Sequence, residues 1–342
     1  MKNKNIIDLF CGCGGLSLGF EAAGFNVELA IDMWEDAIKT YNRNHDNVAK
    51  CIDIHDLSDD YLESFVGNVI GVIGGPPCQG FSSVGNRLID DPRNHLYLEY
   101  CRVVELVKPE FFLIENVKGL TTLGGGIFKQ DIIDRFTKMG YNVSAKILNA
   151  ANYGVPQNRE RVFFVGIKNK KFIFPEPDNK VITTKDALSD LPFEEGEKKY
   201  LFEPQNEYQS LMRNADIIYN HEFTHHTKQT VEIISMVPDG GNIKNLPEEY
   251  WSIRKYNKAF ERMNSDKPSN TIDTGHRNYF HYKYNRIPTV RECARIQSFP
   301  DSFEFIGSKT SQYKQVGNAV PPLLAKKIAK SILDILECDI DG

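Results

Sequence analysis

The first half of the sequence alternates short apolar segments with amphipathic ones. The apolar segments, each of a length typical of a buried strand, are residues 6–10, 27–31, 69–73, 111–114, 143–148 and 162–167. Helical patterns separate them, at about residues 16–23, 34–44, 95–107 and 127–139. Strands that alternate with helices form βαβ units, whose mostly parallel sheet is covered by helices on both faces. The sequence therefore predicts a doubly wound α/β fold.

The rest of the chain predicts a second, smaller domain and then a return to the first. Residues 169–285 are polar and weakly periodic, with turn signals at 175–177, 238–241 and Pro268. From Thr289 the pattern tightens, and it ends in an amphipathic helix at about residues 323–336. We divide the chain into residues 1–170, 171–285 and 286–342, and we expect the last helix to pack beside the first strand.

Composition limits the class of protein. The 342 residues are 41% hydrophobic and 25% charged, and no apolar stretch approaches the ~20 residues that span a bilayer. The first residues lack the apolar region of a secretory leader. The seven cysteines are scattered and form no CxxC pair, which favours reduced thiols over a disulfide framework. We expect a cytoplasmic protein that contacts no membrane.

Charge is unevenly distributed along the chain. The net charge is −5, yet residues 251–330 hold 15 Lys and Arg against 6 Asp and Glu, a local balance of +9. The remainder carries −14, the difference between −5 and +9. A basic segment on an otherwise acidic chain is typical of a nucleic-acid face, although an ordinary solvated surface is also compatible with it.

A glycine-rich turn joins the first predicted strand to the first helix, at residues 8–20. Ligands of open α/β sheets bind at the carboxyl ends of the strands, where glycines let the backbone approach them. The spacing does not match the dinucleotide GxGxxG pattern. Asp32 ends the second strand and is placed to bind a ribose diol, while Asp53 is placed to accept from an adenine amine. A nucleoside without a pyrophosphate is the natural ligand, and a glycine turn in a nicotinamide or flavin protein is the alternative.

Cys78 lies in an unusually stiff context. Two glycines end an apolar strand and two prolines precede the thiol, in the run Gly74-Gly75-Pro76-Pro77-Cys78-Gln79-Gly80-Phe81-Ser82. Proline fixes φ and disfavours helix in the residue before it, so the cysteine is expected on a rigid extended corner. A thiolate that attacks an electrophile in one geometry needs such a frame. An incidental buried thiol beside a tight turn is the alternative.

Six segments occur in an order that is far more specific than any one of them. They are residues 8–20, 74–82, 115–117, 157–163, 291–301 and 317–322. With them the chain closely resembles the DNA (cytosine-5) methyltransferases of bacterial type II restriction–modification systems, over nearly all of residues 5–336 apart from a variable middle. The resemblance implies a doubly wound, Rossmann-like, S-adenosylmethionine-dependent methyltransferase fold. Residues 1–170 then form the catalytic and cofactor-binding domain, residues 171–285 a small inserted DNA target-recognition domain, and residues 286–342 a hinge and return.

The resemblance also implies a catalytic set. Cys78 adds to C6 of the cytosine, Glu115 contacts N3, and C5 then accepts the methyl group before Cys78 is eliminated. Arg161, together with Arg159, matches the arginines that contact the base and the neighbouring backbone, where a guanidinium stabilises developing charge.

The family's cofactor contacts carry over to matching positions. Phe10 stacks on the adenine, Asp32 holds the ribose and Asp53 binds the adenine amine. The remaining expected cofactor-binding residues are Gly12, Gly14, Gly15, Leu16, Met33, Ile54, Pro77, Leu96 and Asn318. Many relatives have Glu-Trp where this chain has Asp32-Met33, so the acid is on a shorter arm and a methionine takes the position of the aromatic wall, with Trp34 one position later. Ile54 is either an apolar neighbour of the adenine or part of the core.

A cytosine inside a duplex must be flipped out to reach a thiol, so the resemblance implies double-stranded DNA as the partner. Residues 79–94 resemble the family's catalytic loop, in which Ser82 and Arg87 are expected to touch phosphates. Thr271 and the following isoleucine match a pair near the target, and Arg277 is the candidate reader of guanine. The resemblance also implies S-adenosylhomocysteine as product, a monomer, no metal, and a functional pairing with a restriction endonuclease without required contact.

Three alternatives to this family are less compatible with the sequence. His221-Glu222-Phe223-Thr224-His225 matches the HExxH pattern of zinc proteases, which works only within a helix, whereas this stretch is polar and has no clear third ligand. A transfer-RNA cytosine methyltransferase has a similar fold, but the Cys-Phe-Thr signature of its eukaryotic members is missing from the sequence. A non-catalytic DNA-binding relative is disfavoured because Cys78, Glu115 and Arg161 are all present.

Overall fold

The computed structural model describes residues 3–77, 95–200, 202–253, 260–274 and 279–338. The chain divides into two compact units. The first comprises Met1–Asn149, Glu160–Pro177 and Pro322–Gly342, and the second comprises Ala150–Arg159 and Asp178–Pro321.

The regular elements of the described residues are numbered in chain order. The strands are β1 (Asn5–Leu9), β2 (Asn26–Asp32), β3 (Ala49–Cys51), β4 (Gly71–Gly74), β5 (Phe111–Val117), β6 (Tyr141–Asn149), β7 (Gln157–Asn158), β8 (Glu160–Lys168), β9 (Glu261–Arg262), β10 (Ser269–Asn270) and β11 (Tyr279–Phe280). The helices are α1 (Gly15–Glu21), α2 (Glu35–Asn44), α3 (Asp59–Glu63), α4 (His95–Val107), α5 (Ile127–Lys138), α6 (Thr184–Leu188), α7 (Glu207–Met212), α8 (Lys228–Met236), α9 (Val290–Ile296), α10 (Lys309–Asn318) and α11 (Pro322–Glu337).

One sheet organises the first unit. Within the described residues its order is β3-β2-β1-β4-β5-β8-β6. The strands from β3 to β5 are parallel, and β8 is antiparallel to both of its neighbours. The predicted mostly parallel α/β sheet is therefore confirmed. The edge strand β3 was absent from the predicted apolar segments because three residues, two of them exposed, carry too little pattern.

Helices cover both faces of this sheet, as the apolar strands require. On one face, Ile7 and Leu9 of β1 belong to a buried cluster with residues of α4 and α5, where the rings of Phe112 and Phe136 stack 3.9 Å apart. On the other face, α1 lies against the sheet and packs on α11, and the ring of Phe20 stacks on Phe111. The carboxyl ends of the parallel strands are thus left open at one edge.

The second unit is built from short elements around two kinds of core. An apolar cluster includes Ile234, Val237, Ile243 and Phe280. A polar cluster is centred on Arg295 of α9, whose guanidinium binds the carboxylates of Asp190 and Asp301, all fully buried. None of the helices in the described ranges is both long and apolar enough to cross a membrane.

The basic segment of residues 251–330 is less basic at the surface than its composition suggests. Among the described residues of this segment, the buried arginines are Arg262, Arg286, Arg291 and Arg295. Arg262 donates to backbone carbonyl groups, and Arg286 forms a two-pronged ion pair with Glu292. Four of the fifteen cations in this segment therefore serve the interior of the second unit, and a nucleic-acid face formed by the others stays a prediction.

Candidate active site

The turn after β1 makes the first part of the site. Residues 10–15, the glycine loop, contain three left-handed positions, with φ of 61° at Phe10, 53° at Gly12 and 92° at Gly14. A Cβ at Gly14 would lie 2.3 Å from Nε2 of His45, so only glycine fits there. A Cβ at Gly12 would have no described atom within 4 Å, so the backbone at Gly12 faces open space.

Two carboxylates stand at the neighbouring strand ends. Asp32 ends β2, and its carboxylate accepts from the backbone N–H groups of Gly12 and Trp34, both at 2.9 Å. Asp53 follows β3, and its Oδ1 accepts from the backbone N–H of His55 at 3.0 Å and lies 2.6 Å from Nδ1 of that ring. These hydrogen bonds from His55 hold the pKa of Asp53 below its usual value. Both acids keep acceptor capacity for a ligand's donors.

The sheet order brings these predicted cofactor residues to one edge, because β3, β2, β1 and β4 are consecutive neighbours. The residues fit an adenosine-type ligand. Half-buried Phe10 and 64%-exposed Met33 offer apolar area, and Asp32 and Asp53 offer acceptors for hydroxyl and amine donors. The open backbone at Gly12 is compatible with a ligand that has no pyrophosphate.

The other predicted cofactor residues differ in exposure. Gly15 and Leu16 open α1 and are buried, whereas Pro77 and Leu96 are half-buried. Ile54 is 2% exposed and belongs to the core cluster, so a contact between Ile54 and adenine stays a prediction. Asn318 is exposed at the end of α10, in the second unit.

Glu115 and Arg161 form an ion pair at the same end of the sheet. Glu115 of β5 pairs with Phe163 across the sheet, and Arg161 of β8 pairs with Val117, so the two side chains are diagonal neighbours on one face. Nε of Arg161 lies 3.1 Å from Oε1 of Glu115, and both side chains are mostly buried. The predicted acid and the predicted base-contacting arginine are thus brought together.

Asn116 ties this pair to the proline segment after β4. Its side-chain N–H group donates to the carbonyl of Pro76 at 2.9 Å, and its oxygen accepts from the N–H of Val117. Pro76 is two positions before Cys78 in the sequence. The two strand ends that carry the predicted nucleophile and the predicted acid are therefore joined by a buried hydrogen bond.

Four predicted site residues, Cys78, Ser82, Arg87 and Arg277, lie outside the described residues. Two others, Arg159 and Thr271, belong to the second unit, where β7 pairs with β10. Arg159 is 1% exposed and donates from Nη2 to the carbonyl of Gly317 at 2.9 Å. Thr271 is exposed, and its hydroxyl donates to the carbonyl of Asn158.

The HExxH segment is not a metal site in the described part of the chain. Residues 221–227 form no helix there. His221 is buried, with its ring nitrogens on Thr289 Oγ1 and the Pro192 carbonyl, whereas His225 is exposed and pairs with Glu195. No group of three or more His, Cys, Asp or Glu side chains suited to a metal ion occurs among the described residues.

Sequence reasoning missed the residues that hold the site together. Asn116, in the segment 115–117, has no role predicted from the sequence. The same is true of Gln157, which joins β7 to the backbone of Ile272 and Ile296. The only available signal was a polar residue inside an apolar strand. Asp8 is the clearest such case, because it is a fully buried acid in the middle of β1.

Comparison with known proteins agrees with this geometry. The model of the C-5 cytosine-specific DNA methylase family matches residues 4–334. The chain is 43% identical over 336 residues to the type II methyltransferase M1.HphI of Haemophilus parahaemolyticus, covering 96% of this chain and 86% of the relative. It is 41% identical over 367 residues to M.DdeI of Desulfomicrobium norvegicum, with coverages of 96% and 88%.

Solved structures share the architecture. A prophage-encoded protein of E. coli, assigned as a DNA modification methyltransferase, superposes with a TM-score of 0.81 at 29% identity, covering 97% of this chain and 99% of that one. Dnmt2 of S. pombe, at 21% identity and a TM-score of 0.64 with coverages of 97% and 99%, supports the fold alone. The predicted Rossmann-like methyltransferase fold is confirmed. The chain therefore belongs to the C-5 cytosine-specific DNA methylase family, as a sequence-specific type II DNA methyltransferase.

Proposed function

We propose that this enzyme flips a cytosine out of double-stranded DNA and methylates its C5 through a covalent adduct with Cys78. The observation that carries the proposal is the Glu115–Arg161 ion pair beside the Pro76–Asn116 hydrogen bond. The acid lies at the carboxyl end of β5 and the proline segment before Cys78 follows that of β4, where α/β enzymes bind ligands, and the cation stands at the adjoining amino end of the antiparallel strand β8.

The chemistry assigns one task to each residue. The Cys78 thiolate forms a bond to C6, and the electron pair of the C5–C6 double bond moves into the ring toward N3, where Glu115 supplies a proton contact. Arg161 fixes the Glu115 carboxyl and places positive charge beside the ring. After C5 has gained its methyl group, water accepts the C5 proton, the C–H electron pair re-forms the C5–C6 double bond, and the C6–S bond breaks so that Cys78 leaves as a thiolate. The proton at N3 returns to Glu115. Arg159, 1% exposed and bound to the Gly317 carbonyl, would fix the conformation of its own segment of the chain.

The cofactor is proposed to bind along the strand ends. S-adenosylmethionine, when bound, supplies the methyl group, and S-adenosylhomocysteine is the product. Phe10 and Met33 would contact the adenine, Asp32 the ribose hydroxyls and Asp53 the adenine amine. The open backbone at Gly12 leaves space for the ligand. The other proposed contacts are Gly14, Gly15, Leu16, Ile54, Pro77, Leu96 and Asn318.

DNA recognition is proposed for the second unit. Extruding a stacked base costs a few kcal/mol, which phosphate and groove contacts must offset. Ser82 and Arg87 are proposed phosphate contacts, Thr271 a contact near the target, and Arg277 a reader of guanine. We further propose that the enzyme is a cytoplasmic monomer that protects host DNA from a restriction endonuclease without binding it.

Base-resolution mapping of 5-methylcytosine tests the proposal. Genomic DNA of mixed sequence is incubated with the enzyme and S-adenosylmethionine, and with Cys78→Ser as the control. We expect 5-methylcytosine within one short sequence, and none above background with Cys78→Ser. Equal signals from both proteins would contradict the role of Cys78. Methylation of transfer RNA and not of DNA would favour the RNA alternative.

A further inference from the structure

A buried polar chain lies beneath the glycine loop and has no role in the chemistry above. Asp8, in β1, is 0% exposed, and its Oδ2 accepts from the hydroxyl of Ser17 at 2.6 Å. The hydroxyl of Tyr41 donates to Ser17 Oγ at 2.9 Å. The chain therefore links β1, α1 and α2 through side chains alone.

Tyr41, the last residue of this hydrogen-bonded series, has its ring close to Gly14. A Cβ at Gly14 would lie 2.8 Å from the ring of Tyr41 and 2.3 Å from the ring of His45. These two rings stack with centroids 4.2 Å apart. Nδ1 of His45 lies 2.7 Å from Oε2 of Glu21, so the second ring is also held by α1. A shift of Tyr41 or His45 toward the loop would press on Gly14, because a Cβ at that position would already overlap both rings.

Burial keeps Asp8 neutral near physiological pH. The pKa of Asp8 is raised to about 8, chiefly by loss of solvation; the Ser17 hydrogen bond lowers it, and the nearby carboxylates of Asp32 and Glu21 raise it. Cys11 and Tyr41, which also face Asp8, have pKa values raised by burial and stay neutral as well. A neutral carboxyl accepts the Ser17 hydrogen bond without setting a second charge beside Asp32.

We propose that Asp8, Ser17 and Tyr41 are positioning residues, which hold Gly14 and the glycine loop in the conformation that binds S-adenosylmethionine. The inference rests on the proposed binding of that cofactor to the loop. It predicts that changes to these three residues alter the affinity for S-adenosylmethionine and S-adenosylhomocysteine and leave DNA binding unchanged. None of the three side chains needs to touch the ligand.

Calorimetric titration of both ligands into purified variants tests the inference. Tyr41→Phe removes one hydroxyl, and Tyr141→Phe is the matched control because it removes a buried hydroxyl that donates to the Pro109 carbonyl. We expect Tyr41→Phe and Ser17→Ala to lower the affinity for both ligands by about three- to tenfold, the contribution of one net hydrogen bond. Tyr141→Phe should bind like the wild type, and all variants should bind DNA equally.

Asp8 variants separate positioning from stability. Asp8→Asn keeps a neutral polar group and should bind both ligands within about twofold of the wild type at pH 7, whereas Asp8→Ala should bind more weakly. Above pH 8 the wild type should lose affinity relative to Asp8→Asn, because its carboxyl ionises beside Asp32 and Glu21. Comparing the two proteins at each pH cancels titration of the ligand itself.

The outcomes distinguish this inference from the proposed function. A wild-type protein that binds neither ligand contradicts the proposed function. A wild type that binds, with Tyr41→Phe and Ser17→Ala binding equally well, contradicts only the inference. If Asp8→Ala fails to fold, Tyr41→Phe and Asp8→Asn carry the test. An affinity ratio of wild type to Asp8→Asn that is constant from pH 7 to 9 contradicts the role of the neutral carboxyl.

Discussion

The guanidinium of Arg161 lies 3.1 Å from the carboxylate of Glu115, measured from Nε to Oε1, on one face of the β5–β8 strand pair. Replacing Glu115 by glutamine removes the proton contact proposed for cytosine N3. Single-turnover methylation should therefore slow by about 10²- to 10⁴-fold. The control is Glu160→Gln, which alters the exposed ion pair with Lys118 and should leave the rate unchanged. A normal rate for Glu115→Gln would remove Glu115 from the mechanism.

Gly75 offers a test of where the Glu115 carboxyl must lie. A Cβ at Gly75 would come 3.2 Å from Oε2 of Glu115, a tight contact that shifts the carboxyl by a few tenths of an ångström. Gly75→Ala should lower the methylation rate by about tenfold with little change in melting temperature. Gly119→Ala is the matched control, because its Cβ would meet no described atom within 4 Å. Equal rates for the two variants would show that small shifts of Glu115 are tolerated.

Strand patterns made much of the cofactor edge predictable. Asp32 follows an apolar segment, whereas Asp53 follows a strand too short to show the pattern. The carboxyl ends of parallel strands meet at one edge whatever the details of the loops. The role of Arg159 was not predictable in this way. Its guanidinium binds the carbonyl of Gly317, 158 residues away, and no local pattern encodes a contact of that separation.

The division of the charges between surface and interior was not predictable for the same reason. The sequence of residues 251–330 shows fifteen cations but not which of them point inward. Arg295 is 0% exposed because Asp190, more than a hundred residues earlier, neutralises it together with Asp301. Asp8 was easier to recognise from the sequence. An acid between isoleucine and leucine in a strand must be either a functional residue or one that binds other buried polar groups. Its partners, Ser17 and Tyr41, required the structure.

Arg295 should be indispensable to the stability of the second unit. Arg295→Met would leave the buried carboxylates of Asp190 and Asp301 without their shared cation, which costs about 3–5 kcal/mol of unfolding free energy. Lys180→Met is the control, because its ion pair with Glu207 is exposed to solvent and its loss should leave the unfolding free energy almost unchanged. Urea denaturation measures both. A loss below about 1 kcal/mol for Arg295→Met would mean that other donors replace it.

His281 should make the stability of the protein depend on pH. The ring is 1% exposed, and Nδ1 accepts from the backbone N–H groups of Lys283 and Tyr284. The pKa of His281 is lowered to about 3, chiefly by burial. The Glu292 carboxylate raises this pKa, and the neighbouring Arg286 guanidinium lowers it. The native ring thus stays neutral at pH values where an unfolded histidine, with a pKa near 6.5, takes up a proton.

The sign of this dependence follows from proton counting. Below about pH 6.5 the unfolded state binds more protons than the native state, so the unfolding free energy falls as pH falls, by at most about 1.4 kcal/mol per pH unit from this group. Denaturation at several pH values between 5 and 6.5 measures the slope above the range where carboxylates titrate. His281→Asn, whose oxygen can accept from the same N–H groups, should have a shallower slope, and exposed His225→Asn should keep the wild-type slope. Identical slopes for the wild type and His281→Asn would show that the buried ring does not control acid stability.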